Sequence, residues 1–373
     1  MSVVVVSPTS SITGRTRLYK VCRILADRGV GVTHLGWHRS EVDSIEESPE
    51  IILDKKRILL SGGGYGGAKN KILYVLWMIK VFCALLFMRR SCIWALGLET
   101  ALPVMLASLI RGHRFVFDDA DRFLLIFKFP SFLYKMFKFF EVATSRSSVL
   151  HIVPSVERYD YISDKFFQLY NLPDAASLER AKNVPLDRDL LDSVRGKVVV
   201  YVNGWLSNTR GAEFVKDFCE NIISYRLQDQ VFLIFAGKYD SDVFRSCLSF
   251  PFVRDFGEVE YERALSLYRV SDFVVTLYDP ALEINRYAIS NKWGDALYFG
   301  VRPVVNFEVK TAAFMESILL RVDYRDSILL LDAVREAKNS RTPLSEADFS
   351  SVIGELVSFD EGVHFALSKL LEN

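Results

Sequence analysis

The chain has 373 residues, with 46 basic and 46 acidic side chains, half of its residues apolar and a quarter charged. That composition excludes a disordered or low-complexity protein, because the apolar surface is sufficient to offset chain entropy. The zero formal charge argues against a dedicated nucleic-acid binder, which would carry a basic excess for phosphates, and the length predicts two hydrophobic cores rather than one.

Val3–Val6 is a short apolar run with no basic flank. It reads as the buried first strand of a parallel sheet, not as a signal peptide. Arg15–Asp27 follows as a helix ended by Gly29, then a strand at Val30–Gly36 and an extended stretch at Ile51–Leu60. The glycine stretch at 61–67 lacks Gly-Lys-Ser/Thr and is therefore a loop beside a cleft, not a P-loop.

Ile72–Met88 is apolar except for Lys80, with Lys69, Lys71, Arg89 and Arg90 at its ends. It sits at the lower length limit for a membrane span, and a central lysine costs about 2.5–3.5 kcal/mol there. A transmembrane helix is therefore rejected in favour of a buried helix, or one that also touches lipid. Cys92–Leu96 resumes the sheet, Thr100–Ile110 is helical and Arg114–Phe117 is a strand. Phe127–Phe140 mixes aromatics with Lys128, Lys135 and Lys138 on a helix starting near Pro130, a pattern that suits core packing or contact with lipid phosphates. Val149–Val153 is the next strand.

Between Asn171 and Gly196 turn residues dominate, and the domain linker is expected there. The alternation then restarts with strands at Lys197–Asn203, Val231–Ala236, Phe273–Leu277 and Arg302–Val305. Helices at Ala212–Tyr225, Tyr261–Arg269 and Lys292–Phe299 separate them, and Phe359–Leu371 closes the chain as a helix. Strands separated by helices imply right-handed βαβ units. The expected fold class is α/β, two Rossmann-like domains with parallel sheets facing a central cleft. The expected domains are 1–175, 176–355 and a final helix, 356–373, crossing back to the first.

The five cysteines (Cys22, Cys83, Cys92, Cys219, Cys247) contain no Cys-x-x-Cys pair, which excludes a disulfide framework or a zinc site and fits a reducing cytosol. His34, His38, His113, His151 and His364 show no ligand spacing. The densest signal lies from Gly204 to Val305. Gly204-Trp-Leu-Ser-Asn-Thr-Arg-Gly211 follows a strand, Ala236-Gly237-Lys238 ends the next, and Phe256-Gly-Glu-Val259 precedes a helix. Ser290-Asn-Lys-Trp-Gly-Asp295 then leads to Gly300-Val-Arg-Pro-Val-Val305.

In these residues the chain resembles the donor half of GT-B glycosyltransferases, especially the retaining family 4 group that assembles bacterial surface polysaccharides such as lipopolysaccharide or O-antigen. The resemblance implies two GT-B domains and a transferase that moves a sugar from a UDP-, GDP- or dTDP-linked donor to a glycan or lipid-linked acceptor. The reaction would take place at the cytoplasmic membrane face, with no metal, no other cofactor and no nucleic acid. The donor-side residues it implies are Gly14, Gly204, Arg210, Lys238, Val259, Ser290, Asn291, Lys292 and Asp295. Arg210 would meet the charge that builds on the departing diphosphate, the N–H groups at 290–292 would take further phosphate oxygens, and Asp295 would hold the ribose.

Departures accompany it. Trp205 stands where the family places an arginine and reads as a packing aromatic, and Tyr287 stands where the family has an acid, which Glu283 could replace only after a local shift. Lys238 or Arg286 could restore the missing positive charge. In the first half Arg15 (or Arg17) and Asp118 are expected on the acceptor side, and Asp119 or Asp121 as the carboxylate that takes the acceptor proton. The same aspartates also fit an N-cap cluster. Asp119-Ala-Asp121 matches the metal-binding Asp-x-Asp of another transferase fold, a match set aside because the nucleotide signals lie in the opposite half. A degenerate, non-catalytic scaffold and a GT-B sugar-nucleotide epimerase are the alternatives.

Overall fold

The computed structural model describes residues 2–40, 51, 53–64, 69–127, 129–339 and 345–372. Lys128 and residues 65–67 of the glycine stretch lie outside the described residues. Two compact units divide the chain, unit 1 from Met1–Leu169 with Ser358–Asn373 and unit 2 from Tyr170–Val357.

Unit 1 runs β1 (Ser2–Ser7), α1 (Thr16–Asp27), β2 (Gly31–His38), β3 (Lys55–Ser61), α2 (Lys69–Leu86), β4 (Cys92–Leu96) and α3 (Leu98–Arg111). It continues with β5 (Arg114–Asp118), α4 (Phe123–Ile126), α5 (Ser131–Ser147), β6 (Leu150–Val153) and β7 (Phe166–Gln168). All ladders are parallel, in the order β3-β2-β1-β4-β5-β6-β7. Because β1 lies inside the sheet with both faces covered, its four valines are all buried, which is why the sequence there is continuous rather than alternating. The order runs one way from β1 to β3 and the other way from β4 to β7. Right-handed connections therefore put α2, α3 and α5 on the face opposite α1. α2 and α3 bury Trp77, Val81, Leu85, Val104 and Met105 against Val4, Val6, Ile93, Ala95 and Phe117 of the sheet, and Phe137 and Phe140 of α5 pack against the same cluster. The final helix, Phe359–Leu371, begins with a capping box between Ser358 and Glu361 and joins α1, where Lys20 Nζ sits 4.3 Å from the Phe359 ring.

Unit 2 runs α6 (Ala175–Asn183), α7 (Arg188–Val194), β8 (Val198–Ser207), α8 (Ala212–Ser224), β9 (Val231–Asp240), α9 (Asp242–Ser246), β10 (Val253–Asp255) and α10 (Tyr261–Leu267). It continues with β11 (Phe273–Val275), α11 (Glu283–Arg286), α12 (Asn291–Tyr298), β12 (Arg302–Asn306), β13 (Leu320–Val322), α13 (Ile328–Asn339) and α14 (Glu346–Gly354). Its sheet is also all parallel, ordered β10-β9-β8-β11-β12-β13.

Two local expectations are corrected here. The stretch expected to be a loose linker holds α6 and α7. Asp174, one of its turn residues, is the N-cap of α6 and accepts the Ser177 N–H and hydroxyl, each at 2.8 Å, while Ala181 and Leu190 enter the core. The strand expected at Lys197–Asn203 also runs on to Ser207. β8 stays paired with β9 through Ser207, as Gly204 to Ser207 face Gly237 to Asp240.

Candidate functional site

In unit 2 the strand order turns round between β8 and β11, and α/β sheets bind ligands at the carboxyl ends of strands at such a point. Arg210 ends a single 3-10 turn, Asn208–Arg210, just beyond β8. Its Nη1 donates to Asn285 Oδ1 at 3.2 Å, and its guanidinium carbon lies 4.4 Å from the centre of the Tyr278 ring. Both partners are fixed. Buried Asn285 donates to the Asp279 carbonyl at 3.0 Å, and the Asn306 amide clamps the Tyr278 backbone by accepting its N–H and donating to its carbonyl. The guanidinium is therefore held by an amide and an aromatic face, both neutral.

Lys292 comes to the same place from α12. A Cβ on Gly204 would stand 3.5 Å from its Nζ, so the ammonium lies over bare backbone at the end of β8. Gly204 itself has a φ of 86°, in the region that favours glycine, and its partner Gly237 on β9 must be glycine as well, because a Cβ on Gly237 would sit 1.9 Å from the Gly204 carbonyl oxygen. Burial, and then the neighbouring Arg210, push the Lys292 pKa down to about 7, with Asp295 opposing. A lysine driven toward neutrality beside a second cation is a group that an anion would recharge.

The start of α12 adds donors. Ser290 is its N-cap residue and makes no side-chain cap bond, and the first-turn N–H groups of Asn291 and Lys292 have no carbonyl within the helix to meet. The helix is held in place by Trp293, whose Nε1 donates to Thr276 Oγ1 at 2.8 Å, and Thr276 in turn donates to the Val304 carbonyl at 2.9 Å. Asp295 is buried one turn on and accepts the Tyr261 hydroxyl at 2.9 Å. Val259 is half-buried against the cluster of Phe256 and Tyr261, and Lys238 is exposed on β9 opposite Trp205.

Trp205 is not a packing aromatic. It is 52% exposed and donates Nε1 to Asp240 Oδ2 at 3.1 Å. The continued strand explains this, because alternation puts Leu206 inside and Trp205 outside. Glu283 is exposed, Tyr287 pairs its hydroxyl with Lys310 at 3.4 Å, and Arg286 donates to the Pro280 carbonyl at 2.8 Å.

The strand ends of unit 1 are organised differently. Gly14 is exposed and its N–H donates to Ser11 Oγ at 3.0 Å, while Arg15 is the exposed N-cap residue of α1. Asp118, expected on the acceptor side, is fully buried. Arg17 meets its Oδ1 at 2.9 Å through Nε and 2.8 Å through Nη2, and Trp94 Nε1 donates to Oδ2 at 3.0 Å. Arg17 and Asp118 are thus buried and paired with each other inside unit 1. Asp119 is also fully buried, accepting the Tyr159 hydroxyl at 2.7 Å with His151 Nε2 at 3.9 Å. Only Asp121 of the three reaches solvent, where it pairs with Arg158 at 3.6 Å. Asp119 and Asp121 therefore point apart, and none of the aspartates caps α4, whose N-cap residue is Arg122. Arg122 is enclosed by Glu141 at 2.9 Å and Asp160 at 2.8 Å.

One carboxylate escaped the sequence reading. Glu99, at the start of α3, is buried and folds back over Gly97, and burial, with Asp119 and Asp121 adding to it against Arg39, pushes its pKa up to about 7. The signal was its position just after β4, at the carboxyl edge of the sheet.

No protein-family model matches the chain, and no curated protein matches it in sequence. Solved structures do match in fold. An α,α-trehalose-phosphate synthase (UDP-forming) from Burkholderia vietnamiensis superimposes with a TM-score of 0.69 at 12% identity, covering 99% of this chain and 98% of that one. A trehalose-6-phosphate structure from E. coli, bound with UDP-2-fluoro glucose, gives 0.62 at 12% identity, with 99% of this chain and 96% of that one covered. A putative UDP-N-acetylglucosamine 2-epimerase from Listeria monocytogenes gives 0.62 at 12% identity, covering 99% and 95%. At this identity the likeness establishes the architecture, a two-domain GT-B fold with parallel sheets in both domains.

Proposed function

We propose that the chain is a glycosyltransferase whose unit 2 holds the diphosphate of a nucleotide-sugar donor. The observation that carries this reading is that Arg210 lies close enough to Lys292 to lower its pKa while the Lys292 ammonium lies over Gly204, at the start of α12, where Ser290 makes no side-chain cap. As the bond from the anomeric carbon to the diphosphate oxygen breaks, negative charge builds on that oxygen. A guanidinium held by neutral partners and a lysine that takes up a solvent proton when the ligand's negative charge raises its pKa meet it there. Lys292 thus takes the place of the cation absent at Trp205. The first-turn N–H groups of α12 take the remaining phosphate oxygens, Asp295 shares its carboxylate between Tyr261 and the ribose, and the backbone near Val259 faces the base. UDP is the first nucleotide to try, because the fold neighbours include structures with UDP ligands.

The acceptor is a glycan or lipid-linked glycan held by unit 1, where Asp121 and Arg15 are the exposed polar groups at the strand ends and Asp119 and Glu99 lie beneath them. Retention of configuration is proposed, the acceptor proton passing to the departing phosphate oxygen, with the work set at the inner face of the plasma membrane. The sugar-nucleotide epimerase reading shares the same fold neighbours but needs no acceptor.

Titration calorimetry and turnover with UDP-, GDP- and dTDP-sugars in the native protein and in Arg210→Ala test the reading. Expected is binding by the native protein and a loss of about 10²–10³-fold in kcat/KM in the variant. Full activity in Arg210→Ala would refute the assigned role. Isomerised sugar nucleotide without transfer would select the epimerase, and no nucleotide binding at all would select a scaffold.

A further inference from the structure

Unit 1 carries a surface that sugar transfer does not use. The helices α2, α3 and α5 bury one face against the sheet, but their opposite faces are also apolar. On α2, Ile72, Val75 and Ile79 form an outward stripe at helical spacing, Ile72 being 74% exposed, on the side away from buried Trp77 and Val81. On α3, Leu109 is 73% exposed and Ile110 64%, and on α5 Phe132 is 75% exposed and Phe139 69%. α3 contacts both of its neighbours, and Arg111 donates to the Met88 carbonyl at 3.2 Å, tying the ends of α2 and α3 together. The three stripes thus lie on adjacent helices, and Phe87, 90% exposed, stands at the tied end. A helix face this apolar, repeated on three neighbours, marks a contact surface rather than scattered exposure.

The exposed charges on these helices and at their ends are basic, although Asp160 from outside them pairs with Lys138 of α5 at 2.6 Å. Lys80, Arg89, Arg90, Arg111, Lys135 and Arg146 are all exposed on these helices or at their ends. Residues 55 to 147 contain fifteen basic and five acidic side chains in a chain with no net charge, and Glu99, Asp118, Asp119 and Glu141 of those five are buried. No described helix is long and apolar enough to cross a membrane.

We propose that the outer face of α2, α3 and α5 docks onto an anionic phospholipid surface. The aliphatic and phenyl groups enter the boundary between headgroups and acyl chains while the lysine and arginine heads meet lipid phosphates. A second copy of the chain is the poorer occupant, because a two-fold interface would set the same basic rim against itself. The proposal does not depend on the transferase reading, since vesicle binding is measured without donor or product.

Flotation of the full chain with phosphatidylcholine vesicles, and with mixed phosphatidylglycerol–phosphatidylcholine vesicles, tests it. Binding is expected to the mixed vesicles and to weaken with salt, with little binding to phosphatidylcholine alone. Arg89→Glu with Arg90→Glu should weaken it by at least ~30-fold. Ile79→Ser with Leu109→Ser, both at exposed positions that leave the fold intact, should weaken it by about tenfold at low and high salt alike. Absence of flotation at low salt would overturn the proposal, as would flotation unchanged by the serine pair. A dimer in sedimentation that the serine pair dissociates would hand the surface to a second copy instead.

Discussion

The two units present arginines at the carboxyl ends of similar parallel sheets and use them in opposite ways. In unit 1, Arg17 is spent on Asp118 and Arg122 on Glu141 and Asp160, so each guanidinium is neutralised inside the protein. In unit 2, Arg210 rests on an amide and a phenol ring, and Lys292 stands beside it rather than opposite a carboxylate salt-bridge partner. The difference teaches that the partner, not the position at a strand end, separates a cation neutralised by a carboxylate from one held by neutral groups. A buried ion pair is costly to break because the survivor keeps its charge without solvent, whereas a cation held by neutral groups loses little until a ligand arrives.

Removing a carboxylate from unit 1 should strain the comparison hardest. Asp118→Asn leaves Arg17 buried without its counter-charge, and urea unfolding should show a loss of about 3–5 kcal/mol, with nucleotide affinity in unit 2 unchanged once the protein is folded. Equal damage to nucleotide binding would mean that the two ends do not divide the work in this way.

Glu99 gives a smaller effect with a definite sign. Its folded pKa is raised from 4.5 to about 7, so the folded state binds the proton more tightly and the stability it contributes when protonated is lost as pH rises through that window. Glu99→Gln should match the native protein near pH 4 and exceed it by about 1–3 kcal/mol near pH 8. Chemical denaturation at the two pH values decides it, and equal curves at both would reject the burial argument.

Lys292 sharpens the unit 2 side. Its pKa of about 7 should rise when a diphosphate binds, so the complex takes up a proton. Affinity for a nucleotide sugar should be greatest below pH 7 and fall by up to about tenfold per unit above it. Calorimetry in buffers of different ionisation enthalpy reads the proton directly, and Lys292→Met should abolish both the uptake and the slope. The smallest effect is expected at Trp205, whose ring lies 5.9 Å from the Arg210 guanidinium and is half in solvent. Trp205→Ala should cost roughly two- to fivefold in donor KM with little change in folding. A loss as large as that of Arg210→Ala would make the ring part of the binding machinery.

Much of this was legible residue by residue. The β1 valines announce a buried parallel strand, Phe359–Leu371 reads as the last helix, and the alternation from Lys197 to Val305 announces a second parallel sheet. What misled was local ambiguity. The Pro-Asp pair before α6 looks like a linker because the same residues that make turns also cap helices, and Trp205 looks like core because strand alternation past a glycine cannot be read without the partner strand.

Period, capping chemistry and glycine placement depend on neighbours a few residues away, so the sequence alone determined the alternation of strands and helices, two α/β units and the segment that carries the cations. Which cation is free is a matter of contacts between residues far apart in the chain. Arg17 and Asp118 are 101 positions apart, and Arg210 and Asn285 are 75. Only the packed sheets bring such pairs together, and burial, which sets the charge on Lys292 and Glu99, exists only once they have.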